Sequence, residues 1–264
     1  MSGMKVSVIV MGANGRMGSK LTRMATESEQ LELRGVVERA EFSKGLDRLG
    51  CPVAHDLADL LPSVPGAVVI DFTAPEVSLA TARKAAVTGN PVVIGTTGLN
   101  AEQLNELQGL ARTTPIFWSP NMSIGVSALV QILPLLERIL GETYDMEITE
   151  IHHHHKKDAP SGTAVKLAQV LAQSRGWNLD EVGNYGRQGI VGARSAKELG
   201  VHAVRGGDVV GDHTVYFFGP GERIEVTHRA HSRENFARGA LRAAHWLASQ
   251  KPGELYSMNH LMGA

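Results

Sequence analysis

Val6-Ser7-Val8-Ile9-Val10-Met11 runs directly into Gly12-Ala13-Asn14-Gly15-Arg16-Met17-Gly18, and the adjoining stretch Met17–Glu27 is amphipathic at helical spacing. An apolar β-rich run, a glycine turn and a helix make one βα unit. Its glycines allow a tight turn and let backbone N–H groups and the helix N-terminus approach an anion, the way a dinucleotide pyrophosphate is held. The spacing is GxxGxxG rather than GxGxxG, but the strand before it and the helix after it are the context that such a fingerprint requires. Twenty residues beyond Gly18, where the next apolar run Leu33–Glu38 ends, stands Glu38, an acid placed to accept hydrogen bonds from ribose hydroxyls. Arg39 beside it can pair with a 2′-phosphate, so the Glu38-Arg39 pair points to tolerance of both NAD and NADP. The alternative is a glycine-rich turn that merely connects two elements.

Outward from this unit, short apolar runs at Val68–Phe72, Val92–Gly95 and Ile116–Trp118 alternate with amphipathic stretches at Glu76–Thr88 and Ala101–Ala111. Strands too apolar to alternate, separated by helices, predict a parallel sheet buried on both faces. Two further loops fall at strand carboxyl ends, Gly95-Thr96-Thr97-Gly98 and Ser119-Pro120-Asn121-Met122. Their small hydroxyl residues suit either contacts to the nicotinamide end of a cofactor or plain helix caps and turns. After Pro120 the pattern changes. A long apolar stretch, Ile124–Leu140, reads as a helix despite Pro134, which either lies near its start or kinks it. Asp145–Ile151, Val201–Arg205, His213–Phe218 and Arg223–Ala230 read as strands of a second, half-exposed sheet, with Ile224, Val226 and His228 on one face. The tail Arg233–Gln250 is helical again. The expectation is an α/β domain, 1–123 completed by 233–264, and a smaller α+β domain with a mixed or antiparallel sheet, 124–232.

Composition narrows the function. Lys plus Arg number 26 and Asp plus Glu 27, a net charge of −1, so no basic excess points to nucleic acid or an anionic membrane. No run reaches the ~18 apolar residues of a membrane helix, since Gln131, Pro134, Glu137 and Arg138 interrupt the longest candidate. Cys51 is the only cysteine, which excludes an intrachain disulfide and fits a reducing, cytoplasmic setting. The opening Met4–Met11 superficially resembles a leader but reads as the first strand.

Chemistry concentrates in Glu150-Ile151-His152-His153-His154-His155-Lys156-Lys157-Asp158-Ala159-Pro160-Ser161-Gly162-Thr163-Ala164. Neighbouring strand residues face opposite ways, so four consecutive histidines cannot share one tetrahedral ion, and no metal is expected. Packed or solvated histidines remain an alternative to a catalytic or anion-binding cluster. The residues beyond the histidines favour the cluster. Ser161 can cap a helix starting near Thr163, whose first N–H groups would receive a carboxylate, and His152, His154 and Lys156 would share a face if the strand persisted.

The run His152-His153-x-His155-Lys156-x-Asp158-x-Pro160-Ser161-Gly162-Thr163, with the glycine turn, Asp71-Phe72-Thr73, Gly95-Thr96-Thr97-Gly98 and Arg205-Gly206-Gly207-Asp208, resembles the 4-hydroxy-tetrahydrodipicolinate reductase (dihydrodipicolinate reductase) family over essentially the whole chain. The resemblance implies a Rossmann-type domain and a substrate-binding and oligomerisation domain. It further implies a homotetramer and reduction of a cyclic imine dicarboxylate with NADH or NADPH in lysine and diaminopimelate biosynthesis. By position, Gly12, Ala13, Asn14, Gly15, Arg16, Met17, Glu38, Arg39, Gly95, Thr96, Thr97, Ser119, Pro120, Asn121 and Met122 correspond to cofactor contacts. His152 and Lys156 correspond to the catalytic proton carriers, and His153, Gly162 and Thr163 to substrate contacts. His154 has no assigned role.

Two other functions fit parts of the pattern. A semialdehyde dehydrogenase needs a thiol nucleophile, and Cys51, before Pro52 in the first half, is poorly placed to be one. A nucleotide sensor would keep the glycine turn without needing His152 and Lys156. The Glu38-Arg39 pair sets a first test: Arg39→Ala is expected to cost about 1.5–3 kcal/mol of NADPH binding, with NADH much less affected. Equal losses for both cofactors in calorimetric titration would remove Arg39 from the phosphate site.

Overall fold

In the computed structural model, which describes residues 4–263, the first half folds as β1 (Val6–Met11), α1 (Gly18–Thr26), β2 (Leu31–Val37), β3 (Val53–Ala54), β4 (Val68–Asp71), α2 (Pro75–Thr88), β5 (Val92–Ile94), α3 (Ala101–Leu110) and β6 (Ile116–Trp118). The middle is α4 (Ile124–Leu140), β7 (Asp145–His152), α5 (Gly162–Ser174), α6 (Leu179–Val182), β8 (Gly183–Asn184), β9 (Leu199–Arg205), β10 (Asp212–Gly219) and β11 (Glu222–Arg229). The chain ends with α7 (Glu234–Leu247), β12 (Leu255–Tyr256) and α8 (Met258–Met262). Two units result, Met1–Ile124 with Glu234–Ala264, and Gly125–Arg233.

The first unit holds a seven-stranded sheet in the order β12-β6-β5-β4-β1-β2-β3, parallel throughout. Its strands read as unbroken apolar runs because each face meets a different core. Val8 and Val10 point to one side with Leu21 of α1 and Ala240 and Leu247 of α7. Ile9 and Met11 point to the other with Leu79 and Ala82 of α2 and Leu107 of α3. The strand order reverses between β1 and β4, so the loops at their carboxyl ends flank the crevice where open α/β sheets take ligands. The turns of 3₁₀ helix between residues 40 and 63, β3, β12 and α8 extend the pattern read from sequence.

The second unit is a mixed sheet, β11-β10-β7-β9-β8, in which β10 runs antiparallel to β7 and β11 while β9 runs parallel to β7. One face packs Met146, Ile148, Val201, Val215 and Phe217 against Leu129 and Leu133 of α4 and Leu167 and Leu171 of α5. On β11, Ile224, Val226 and His228 do share the half-buried face. Pro134 lies inside α4 rather than near its start, so the Val130 carbonyl lacks the usual i+4 donor. Glu137, buried on the same helix, accepts hydrogen bonds from Arg175 Nε at 2.7 Å and Ser174 Oγ at 2.5 Å. Around residues 186–198 a second ionic network forms, with Arg187 and Arg194 on Glu147. That carboxyl is pulled down to about 2: burial opposes the change, and the hydrogen bonds from Arg187, His202 and Arg194 outweigh it.

No helix among the described residues is long and apolar enough to cross a membrane. Phe217 is fully buried at the centre of the second core, so Phe217→Ala is expected to cost about 3–5 kcal/mol in urea unfolding. A loss under about 1 kcal/mol would mean that this face is loosely packed.

Candidate functional site

In the first unit the chemistry-bearing residues gather at the carboxyl edge of the parallel sheet. Gly12–Met17 follow β1, Glu38 and Arg39 follow β2, Gly95–Thr97 follow β5, and Ser119–Met122 follow β6. Gly12 adopts φ +62°, and a Cβ on Gly18 would lie 1.9 Å from the Gly12 carbonyl oxygen, so α1 starts pressed against the turn. No side chain caps α1, and no acidic residue lies in its first turn. The turn therefore fits a nucleotide pyrophosphate by both shape and charge.

Glu38 is already held. Its Oε2 accepts the Asn14 N–H at 3.0 Å and its Oε1 accepts the Arg39 N–H at 3.0 Å, which joins the β1 turn to the end of β2. Each oxygen keeps a further lone pair for a ribose hydroxyl. The Asn14 amide donates to the Phe42 and Lys44 carbonyls. The Arg39 guanidinium lies 4.4 Å from the Phe42 ring centroid and 3.4 Å from Glu41, exposed to solvent.

A buried network ties the β5 loop to the end of β4. Asp71, at the end of β4 and wholly inaccessible, accepts from Thr73 N–H, Thr73 Oγ–H and Ser78 Oγ–H through Oδ1. Ser78 and Thr96 hydroxyls stand 2.6 Å apart, and because the one Ser78 proton goes to Asp71, Thr96 donates to Ser78. Asp71 Oδ2 has no partner. On β6's loop the Ser119 hydroxyl donates to the Asn121 carbonyl at 2.7 Å. Ser119 and Thr96 are thus turn-makers whatever else they contact.

In the second unit β7 ends at His152, where the Gly206 N–H closes the ladder on the His152 carbonyl. The strand does not persist, so the face that His152, His154 and Lys156 would share on a continuing strand does not form. His153 and His154 donate their N–H groups to the Val209 and Gly207 carbonyls. Past them the chain turns, leaving His154 and His155 exposed and Lys156 Nζ 2.9 Å from Asp158. Ser161 caps α5, accepting the Ala164 N–H at 3.2 Å. Gly162 and Thr163 form the first turn, with no acidic residue in it, so the helix start favours an anion.

Three residues absent from the expected site bind this segment together. Glu150, wholly buried, accepts His152 Nδ1–H at 2.6 Å and Arg205 Nη1 at 2.7 Å on Oε2, and Ser161 N–H at 2.9 Å and Arg205 Nη2 at 2.6 Å on Oε1. Burial works against its ionisation, yet the Arg205 and His152 hydrogen bonds prevail and lower its pKa. His213 of β10 lies edge-on to His152, ring centroids 5.2 Å apart, with Nε2 2.9 Å from the Ser161 hydroxyl. Alternation along β7 places Glu150 and His152 on one face and was the available signal. Arg205 stood in the quoted Arg205-Gly206-Gly207-Asp208 run without a role.

Burial, reinforced by the His152 charge, depresses the His213 imidazole to about 3. From the ordinary value near 6.5 down to about 3 the unfolded chain binds a proton here that the folded chain does not, so stability falls as pH falls through that window. In urea titrations, acidification from pH 7 to 4 is expected to destabilise wild type relative to His213→Gln by up to ~1.4 kcal/mol per pH unit. A constant difference would mean that His213 charges freely in the fold.

Comparison with known proteins matches residues 6–122 to the family model "Dihydrodipicolinate reductase, N-terminus" and residues 125–262 to "Dihydrodipicolinate reductase, C-terminus". The 4-hydroxy-tetrahydrodipicolinate reductase of Nitratidesulfovibrio vulgaris is 60% identical over 255 residues, covering 97% of this chain and 98% of that one. The protein of the same description from Oleidesulfovibrio alaskensis is 58% identical, covering 98% and 100%. A dipicolinate-bound dihydrodipicolinate reductase from Paenisporosarcina sp. TG-14 superposes with a TM-score of 0.78 at 26% identity, covering 96% of this chain and 98% of that one.

Proposed function

The chain belongs to the dihydrodipicolinate reductase family, and on that premise we propose how its residues divide the work. It is an NAD(P)H-dependent oxidoreductase that converts 4-hydroxy-tetrahydrodipicolinate to tetrahydrodipicolinate in lysine and diaminopimelate biosynthesis. Its two domains are 1–123 completed by 233–264, for the dinucleotide, and 124–232, for substrate and for assembly into a homotetramer in the cytoplasm.

Gly12 to Met17 hold the pyrophosphate against the uncapped start of α1, and Glu38 holds the adenosine ribose. Arg39 swings from Glu41 to a 2′-phosphate when one is present. Gly95 to Thr97 and Ser119 to Met122 frame the nicotinamide end. When bound, NADH or NADPH supplies the hydride.

Converting the hydroxylated substrate to the product consumes one hydride and one proton and releases water. His152 supplies the proton. Lys156 assists departure of the hydroxyl and, as a cation, balances a substrate carboxylate. Gly162 and Thr163 receive a carboxylate at the α5 N-terminus, and His153 contacts the same substrate. The observation that carries this assignment is the Glu150 carboxylate, which touches both His152 and the Ser161 N–H and so sets a proton carrier beside an anion-binding helix start.

His152→Gln and Lys156→Met are each expected to lower kcat by ~10²-fold or more with NADH affinity little changed. Near wild-type kcat in either folded variant removes that residue from the catalytic set. A joint loss of melting temperature and cofactor binding would make the segment structural.

A further inference from the structure

Glu150 is a carboxylate of the second unit with no solvent access. Its four hydrogen bonds go to three chain segments: His152 on its own strand, Arg205 on β9 and Ser161 at the cap of α5. Arg205 reaches further, donating through Nη2 to the Asp158 carbonyl at 2.9 Å, while the Asp158 carboxylate pairs with Lys156 Nζ. The other imidazole nitrogen of His152 faces Gly211, where any Cβ would lie 2.9 Å from Nε2.

We propose that Glu150, clamped by Arg205, is the positioning residue of the reaction: it accepts the proton of His152 Nδ1, which leaves Nε2 as the nitrogen that carries the transferred proton, and it fixes the anion-binding turn at Ser161 relative to that nitrogen. This rests on His152 being the proton donor. A neutral imidazole has one N–H, and a carboxylate that only accepts places it on Nδ1. When Nε2 also carries a proton, the same carboxylate is the counter-charge that the ring touches, at 2.6 Å.

The other groups around His152 do not replace this partner. His213 from β10 stays neutral above a pH of about 3. Arg205 from β9 is itself paired with Glu150, Lys156 is paired with Asp158, and His153 is held below its ordinary value by burial and the Arg233 charge.

Two measurements decide it. In Glu150→Gln an amide that can donate replaces a carboxylate that only accepts, so the ring loses its fixed tautomer and kcat is expected to fall by ~10-fold or more. NADH affinity is expected to be unchanged. Wild-type kcat in the folded variant overturns the proposal. The second measurement needs no variant of Glu150: long-range ¹H–¹⁵N spectra of the wild-type protein, with His152 assigned by difference from His152→Gln, report the neutral tautomer. Proton on Nδ1 supports the proposal, and proton on Nε2 overturns it even if Glu150→Gln does not fold. Wild-type kcat in His152→Gln alongside an Nδ1 proton would instead sink the catalytic role of His152 and leave the geometry standing.

Discussion

A buried carboxylate is unstable unless positive charge and donors surround it, and meeting that requirement at Glu150 organises the second unit. The guanidinium of Arg205 must reach in from β9, which requires β9 to lie beside β7 in the register that sets His152 opposite Arg205. The Ser161 N–H must point at the same carboxylate, which fixes where α5 begins. His152, left with one fixed nitrogen, is thereby aimed. Strand pairing, helix start and imidazole orientation are three answers to one electrostatic demand.

The first unit solves a different problem with the same economy of parts. A parallel sheet delivers every loop of interest to one edge, but loops at an edge are free to drift unless tied. Glu38 ties the glycine turn to β2, and the chain of Thr96, Ser78 and Asp71 ties the β5 loop to the β4 loop. The polar groups that make these ties are largely hidden from solvent, so they act at low dielectric, where a hydrogen bond holds geometry more firmly than it would in water.

Much of this was legible in the sequence for a physical reason. Strands buried on both faces are apolar without alternation, and a glycine turn between strand and helix has few other uses, so β1, β2, β4, β5 and β6 announced themselves. The 3₁₀ turns between residues 40 and 63 have no period to detect, and β12 is two residues long and exists only because β6 has an open edge. In the candidate site, His152, Lys156 and the Ser161-Gly162-Thr163 turn are contiguous and could be read together. Arg205 stands 55 positions from Glu150, and no local pattern marks a pair that only strand register creates. The end of β7 at His152 was equally hidden, because a histidine run gives no sign of where its ladder partners stop.

That separation has a consequence for inheritance. Residues 150 to 163 carry their chemistry as one cassette, short enough to be exchanged between related genes in a single crossover. Its charge balance, however, is kept elsewhere, on β9. A chimera joined anywhere between Thr163 and Arg205 takes its acid from one parent and its guanidinium from the other, and it works only where the parent that supplies β9 places arginine at that register. Shuffled libraries of this fold therefore have a hidden linkage group, and the junctions that respect it lie before Glu150 or after Arg205.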